Sequence, residues 1–419
     1  MAKKNNRRTK NIGRLILKIA QRYKTRVFLV GGPVRDFLLG RRQRQHLNNQ
    51  QLFKFINNFK SKIDLDFAVE NNYQAIGNHL AKLVNAEVYH YPQFMTMTLQ
   101  LKDSRHIDIA QTRKEIYPKP AVLPKVSKAT IAEDLKRRDF TINAIAIAIT
   151  KENQRLNIID PFGGVLDLQK KLVRILHPNS FIDDPTRIFR AIRFATRFNF
   201  NIEPETEKLM KQAIDNNLLL ALTPERVLYE LKMIMKEIKS KEILTSLQSY
   251  KIFANLYQTI IPKKFFIEHS KLSDDTHKLI HFFSYLPEKY IIKYPLLKEH
   301  LQAIRQLKDF IKYRQKLLLA KKPSEIYNLL KVFNQLTLEI LMNIESKAIK
   351  NKLNAFINRY SKIKPSISGK TLKKLNVPVG PVYAKIINRI HQLKLDGKIQ
   401  TRADEIKYVK ALIKTLNYV

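Results

Sequence analysis

The residues best suited to chemistry in this 419-residue chain lie between positions 27 and 69. Asp64 and Asp66 stand two apart in Ile63-Asp64-Leu65-Asp66-Phe67-Ala68-Val69. In an extended strand that spacing puts both carboxylates on one face and Ile63, Leu65 and Phe67 on the other. Carboxylates held so close repel, and a divalent cation relieves the repulsion; Mg2+ takes one or two carboxylates together with phosphate oxygens. A solvent-facing Asp pair on an edge strand has the same spacing, so the pair alone decides nothing. Upstream, Val27-Phe28-Leu29-Val30 reads as a strand, Gly31-Gly32 breaks it, and Val34 to Leu39 starts a helix. Adjacent glycines let a bulky anion approach backbone N–H groups, and a helix N-terminus favours negative charge. Strand, glycine turn and helix start make a cradle suited to a triphosphate.

Gly31-Gly32-Pro33-Val34-Arg35-Asp36-Phe37-Leu38-Leu39-Gly40 followed by Asp64-Leu65-Asp66 resembles the first motif of the class II tRNA nucleotidyltransferase and bacterial poly(A) polymerase family. Members of that family join nucleotides to an RNA 3′ end without a nucleic-acid template. The resemblance implies that Asp64 and Asp66 are catalytic and hold the metal, and that Gly31, Gly32 and Arg35 bind nucleotide. It departs at residues 41–60, which lengthen a usually short link and hold Arg41, Arg42, Arg44, Lys54 and Lys60 with no acid. Leu52, Phe53, Ile56 and Phe59 have helical spacing there, which predicts an inserted short helix. The insertion is either an RNA contact or a solvated elaboration.

Further elements must complete such a site. Residues 12–23 and 72–84 read as helices, and 86–90, 94–101 and 105–110 as strands. On the last, His106 and Asp108 share a face opposite Ile107 and Ile109; Asp108 is the candidate third carboxylate and His106 is read as structural. Two-metal phosphoryl transfer needs such an acid at the attacking oxygen, and Ile107-Asp108-Ile109-Ala110 followed by Arg113, Glu115 and Tyr117 looks like the family's strand. Pro118, Pro120 and Pro124 mark 111–129 as an irregular loop. In Arg137-Arg138-Asp139-Phe140-Thr141-Ile142-Asn143-Ala144, close to the family's second motif, Arg138 can fork onto phosphate and Asn143 can bond a ribose hydroxyl. Asp160-Pro161-Phe162-Gly163-Gly164, like the third motif, reads as a hinge or a corner.

Asp183-Asp184-Pro185-Thr186-Arg187-Ile188-Phe189-Arg190-Ala191-Ile192-Arg193-Phe194 opens a helix, with Asp184 as N-cap and Pro185 at N1. Pattern alone suits a capped basic helix. The stretch resembles the family's Glu/Asp-Asp-x-x-Arg nucleotide-selecting motif, which implies that Asp184 and Arg187 select the base and that Arg190 and Arg193 lie near the triphosphate. Asp accepts from an exocyclic amine and Arg donates to a ring nitrogen, a polarity matching cytosine and adenine. Pro224 to Leu231 resembles the fifth motif and reads as a brace.

Composition bounds the rest. The net charge is +41, and residues 251–419 account for +21 of it, so the excess reads as spread over the whole chain. So large an excess calls for a polyanion, nucleic acid before a membrane surface. There is no cysteine, hence no disulfide framework, and no apolar run long enough to span a membrane. Met1 to Lys10 is basic without a following apolar stretch, so no secretory signal is expected, and a cytoplasmic location is.

The expected fold is α+β: a polymerase-β-type nucleotidyltransferase head with a mixed β-sheet (1–178), then an all-helical neck (179–250), body (251–360) and tail (361–419). Body and tail would hold tRNA; the tail carries Gly380-Pro381 opening a basic helix. The expected function is Mg2+-dependent addition of C and/or A to a tRNA 3′ end from CTP and ATP, with release of pyrophosphate. Complete CCA, CC-only and A-only addition, poly(A) synthesis, and a catalytically silent RNA-binding protein remain open, as does the oligomeric state.

Overall fold

The computed structural model describes residues 11–40, 47–59, 65–116, 118–119, 124–151 and 154–415. Asp64, Arg41, Arg42, Arg44, Lys60, Tyr117 and Pro120 lie outside them. The chain forms two compact units. One comprises Met1–Glu230 and Glu237–Leu256, the other Leu231–Lys236 and Tyr257–Val419.

The first unit is built on a seven-stranded mixed sheet. Its strands are β1 (Val27–Val30), β2 (Leu65–Val69), β3 (Glu87–Tyr91), β4 (Thr96–Gln100), β5 (His106–Gln111), β8 (Ala146–Ala148) and β9 (Asn157–Ile159), in the order β3-β4-β5-β2-β1-β8-β9. All neighbours are antiparallel except β2 and β5. β1 lies centrally and is buried at every position, which is why it reads as a continuous apolar run. β5 alternates, with Ile107, Ile109 and Gln111 buried and His106, Asp108 and Ala110 half-exposed.

One face of the sheet is covered by helices. Tyr73–Val84 packs there, with Gly77 so close to Met97 that a β-carbon would collide with its sulfur. Ile12–Arg22 buries Ile12, Ile16 and Ile19 beside it. The insertion forms the expected helix, Asn49–Asn57, started by a reciprocal capping box between Asn48 and Gln51. Over its described residues, 47–59, it is not a solvated elaboration. Leu52, Phe53 and Ile56 are buried, Phe37 and Phe55 meet edge to face at 5.4 Å, and the Asn49 amide donates to Thr150 (2.8 Å) and the Gln154 carbonyl (3.1 Å). The single sequence could not show this, because the partners of the insertion's apolar stripe lie elsewhere in the chain.

Residues 111–129 also depart from expectation. They contain an antiparallel pair, β6 (Arg113–Ile116) with β7 (Lys125–Lys128), rather than only an irregular loop. Pro118 and Pro124 fall outside both strands, where they cost no ladder hydrogen bond. At the second Gly-Gly, Asp160 caps the helix Gly164–Lys170 by accepting from the N–H groups of Gly164 (2.7 Å) and Val165 (2.9 Å). Gly164 packs directly on the Thr141 carbonyl with no room for a β-carbon, so this is a packed corner. After β9 the unit is helical, apart from a short parallel pair, β10 (Leu172–Val173) with β11 (Asn201–Ile202). The neck is therefore not all-helical, because Asn201–Ile202 adds a strand to it.

The second unit is helical throughout its described residues, and its longest helix is Lys298–Leu319. Towards the end, Ile367, Leu372, Val377, Ile386, Ile390 and Val409 form a core of their own. There Glu405, fully buried, accepts from the N–H groups of Ser366 (2.8 Å) and Ile367 (2.9 Å) and from Lys394 (2.6 Å). Burial favours protonating that carboxyl, but Lys394 and the backbone donors outweigh it and hold its pKa below the ordinary value.

Candidate active site

Gly31 sits at φ 70° at the end of β1, a left-handed conformation that L side chains rarely adopt, and caps the helix Gly32–Leu39. A β-carbon on Gly31 would stand 2.8 Å from an Arg138 Nη1 and 3.5 Å from Asp66 Oδ2. The glycine turn, a carboxylate and a guanidinium therefore converge on one point. Arg138 is held there by Asp134, which accepts from its Nη2 at 3.0 Å, and its buried Nε has no hydrogen-bond partner among the described residues. Burial favours protonating Asp134, but Arg138 and Arg137 outweigh it and keep its pKa low, so Arg138 is fixed by a charge.

Asp66 and Asp108 are register partners on the parallel strands β2 and β5. Neighbouring strands lie about 4.8 Å apart, so the two carboxylates leave the same sheet face side by side. That face is opposite the one carrying Ile107 and Ile109, which is covered by the helices. Thr98, directly across from Asp108 on β4, donates its hydroxyl to Asp108 Oδ1. The donors are hard oxygens, the chemistry that suits a small divalent cation. Asp64, the remaining carboxylate of the predicted set, lies outside the described residues.

The other predicted residues form a second cluster. Arg35 is buried; it donates to Asn143 Oδ1 (2.6 Å) and Asp36 (2.9 Å) and lies over the Phe198 ring at 4.5 Å. Asn143, also buried, passes the link on through its amide to Asp139 (2.9 Å), which accepts twice from Arg190 (2.8 and 2.5 Å). Arg35, Asn143, Asp139 and Arg190 thus tie the glycine-turn helix to the helix Thr186–Phe198. Burial pushes the Asp139 carboxyl up, but Arg190 and the Asn143 amide outweigh it and hold its pKa at about 2. Arg190 is stabilised as the cation in turn.

Asp184 precedes Thr186–Phe198. Its Oδ1 accepts from the N–H (3.0 Å) and hydroxyl (2.6 Å) of Thr186 and from Arg226 (2.6 Å). Arg187 is buried, donating to the Ser180 hydroxyl (2.6 Å) and the Arg137 carbonyl (2.9 Å). Arg193 lies between Glu237 (3.3 Å) and Glu230 (3.7 Å). Burial raises the Glu230 pKa despite Arg190 and Arg193. Sequence reasoning missed Asp139, Arg226, Glu230 and Thr98. Asp139 was within the quoted second motif, and Arg226 and Glu230 share a helix face at i, i+4 spacing; no sequence signal pointed to Thr98.

Residues 27–174 match the family model for the poly A polymerase head domain. Residues 199–262 match that for the probable RNA- and SrmB-binding site of polymerase A. The chain belongs to the class II tRNA nucleotidyltransferase and poly(A) polymerase family. An A-adding tRNA nucleotidyltransferase of Aquifex aeolicus is 33% identical over 372 residues, which cover 83% of this chain but 42% of the relative. The chain thus spans less than half of that relative's length. An A-adding tRNA nucleotidyltransferase of Halalkalibacterium halodurans is 26% identical over 94% of this chain and 90% of its own. A CC-adding tRNA nucleotidyltransferase of Deinococcus radiodurans is 33% identical over 51% of this chain and 50% of its own. Among solved structures, a CCA-adding enzyme in an apo form aligns with a TM-score of 0.77 at 28% identity over 96% of this chain and 95% of the other. The Thermotoga maritima CCA-adding enzyme complexed with tRNA aligns with a TM-score of 0.69 at 26% identity over the same shares. Membership in this family suggests dependence on a divalent cation in general, and the oxygen donors beside Gly31 suit one.

Proposed function

We propose that the protein is a template-independent tRNA nucleotidyltransferase, adding C and/or A residues to a tRNA 3′ end from CTP and ATP with release of pyrophosphate. The observation that carries this reading is the convergence of Gly31, Asp66 and Arg138, with Asp108 in register beside Asp66. Asp64 and Asp66 would hold Mg2+, which when bound neutralises the triphosphate and the developing charge. The Gly31 N–H is taken by the Ile145 carbonyl (3.4 Å), so Gly31 shapes the turn, the Gly32 N–H at the helix N-terminus donates to a phosphate oxygen, and Arg138 donates to the phosphates through its fork. Asp108 positions the tRNA 3′-hydroxyl and takes its proton, with its own carboxylate oriented by Thr98.

Base choice falls to Asp184 and Arg187. Thr186 and Arg226 hold Asp184 by one oxygen, and the other accepts the exocyclic amine of cytosine or adenine. Ser180 and the Arg137 carbonyl fix the plane of Arg187. Uracil and guanine present the opposite polarity and leave polar groups unpaired, at roughly 1–3 kcal/mol each. Arg35, Asn143, Arg190 and Arg193 act from behind, holding the glycine turn and the selecting helix in register. In the four-part division, the head (1–178) and neck (179–250) carry the chemistry, and the body (251–360) and tail (361–419) hold tRNA.

Addition of the final A alone is the second reading, favoured by the two A-adding relatives that match along 83% and 94% of this chain. Incorporation of labelled CTP and ATP onto transcripts ending before CCA, after C and after CC separates the cases. CTP then ATP, stopping after three residues, means complete CCA addition. ATP onto the CC-ended transcript alone means the A-adding enzyme. Long A tails on any RNA would replace the tRNA reading with poly(A) synthesis, and no incorporation on any transcript would overturn both.

A further inference from the structure

The positive charge of this chain is unevenly placed. Residues 1–63 hold 17 basic residues and one acid, a net +16, and residues 251–419 hold +21, which leaves +4 for residues 64–250. The charge on 251–419 belongs with the helical unit that the proposed function already assigns to tRNA. Apart from Arg35, the charge on 1–63 has no such assignment. Where the structure describes it, much of it lies on the helices Ile12–Arg22 and Asn49–Asn57.

Those helices belong to the layer on the apolar face of the sheet, turned away from Asp66 and Asp108. Ile12–Arg22 buries Ile12, Ile16, Ile19 and Ala20 and exposes Arg14, Lys18 and Arg22, a row at i, i+4 and i+8. Like charges at i, i+4 destabilise a helix by about 0.2–0.5 kcal/mol a pair, and this helix contains no acid to offset them. The row rises about 6 Å per step, close to the spacing of successive phosphates along a nucleic-acid strand. Beside it runs a surface groove of about 650 Å³ whose lining includes Arg14, Lys54, Gln50, Gln51, Asn57 and the ring of Phe53, and no acid among the described residues. Asn57 accepts the Gly13 N–H at 3.2 Å through its carbonyl oxygen, which leaves its amide as a donor, and Gln51 likewise uses its carbonyl oxygen on the Asn48 N–H.

We infer that this outer face of the first unit, with Arg14, Lys18 and Lys54 at its centre, is a second RNA-binding surface that holds the backbone of a double-helical RNA. Cations spaced along a helix neutralise phosphates, and carboxamides in a shallow groove reach phosphate and 2′-hydroxyl oxygens, the features by which A-form RNA is bound without reading sequence. An anionic membrane would also attract the charge. However, these helices expose no large apolar side chain among the described residues, and a surface-lying helix needs one to insert.

The test compares the full-length protein with an Arg14→Gln/Lys18→Gln/Lys54→Gln variant for binding of an RNA stem-loop across a salt series. The variant is expected to flatten the slope of log affinity against log salt by about two, and to bind about ten-fold or more weakly at low salt. Nucleotide incorporation at saturating tRNA stays unchanged. Arg14→Lys/Lys18→Arg/Lys54→Arg keeps the charge and retains wild-type binding, and thermal melting confirms that both variants fold. Unchanged slope and affinity in the Gln variant would overturn the inference. So would a loss confined to anionic phospholipid vesicles. Asp66→Ala keeps this salt dependence whether or not the catalytic reading holds, so the two readings fail separately.

Discussion

At the scale of single residues, the site rests on charges that are held rather than free. Asp139 is the clearest case. Its pKa lies below the ordinary value, so its contribution to stability is present above the unfolded pKa and is lost as pH falls through the folded value of about 2. Asp139→Asn should therefore destabilise by about 2–3 kcal/mol at neutral pH, since it removes the carboxylate nearest Arg190 and leaves only Glu230 at 3.9 Å. The gap from wild type should close between about pH 4 and about pH 2, read by urea unfolding across that range. Glu230 has the opposite sign. Its raised pKa means that any contribution is present at low pH and is lost as pH rises through the folded value. Glu230→Gln should cost less than about 1 kcal/mol by the same measurement. Arg226→Ala removes one of three donors to the oxygen that fixes Asp184. Discrimination of the preferred nucleotide against UTP or GTP should fall by about ten-fold or more, measured as a ratio of kcat/KM values, while overall stability changes little.

At the scale of elements, the strands and helices around the motifs were largely legible. β1, the helix after Gly31, the helix Tyr73–Val84 and the alternation of β5 follow from apolar periodicity, and that periodicity placed Asp66 and Asp108 on polar faces. The sequence could not say that those faces are the same one, because register across β2 and β5 is a non-local property. For the same reason the partners of Arg35 and Arg190 were hidden. Arg35 was expected to bind nucleotide, and its placement is that of a buried strut. Asn143, read as a ribose contact, bridges Arg35 to Asp139. The hairpin of β6 and β7 was obscured by Pro118 and Pro124, which fall outside its strands. The docking of Asn49–Asn57 makes a prediction of its own. Leu52→Ala should cost about 2–4 kcal/mol in chemical denaturation, where a solvated appendage would cost nothing. Asn48→Ala should cost about 1 kcal/mol through the lost cap.

At the scale of the whole molecule, the charge that first read as spread evenly is concentrated on two stretches separated by a nearly balanced one. The balanced stretch, residues 64–250, contains most of the residues proposed to catalyse and to select, where arginines are matched by Asp134, Asp139, Asp184, Glu230 and Glu237. This division separates a neutralised site, able to set the pKa values of its own groups, from surfaces able to hold a polyanion. No helix among the described residues is long and apolar enough to cross a membrane. The central claim is that the carboxylates beside the glycine turn perform nucleotidyl transfer to tRNA. Its most direct test is incorporation of labelled CTP and ATP onto tRNA transcripts with Mg2+ by wild type and Asp66→Ala, with tRNA affinity measured on both. The account predicts incorporation by wild type and its loss, by at least about a thousand-fold, in the variant with affinity preserved. Wild-type rates in Asp66→Ala would contradict it.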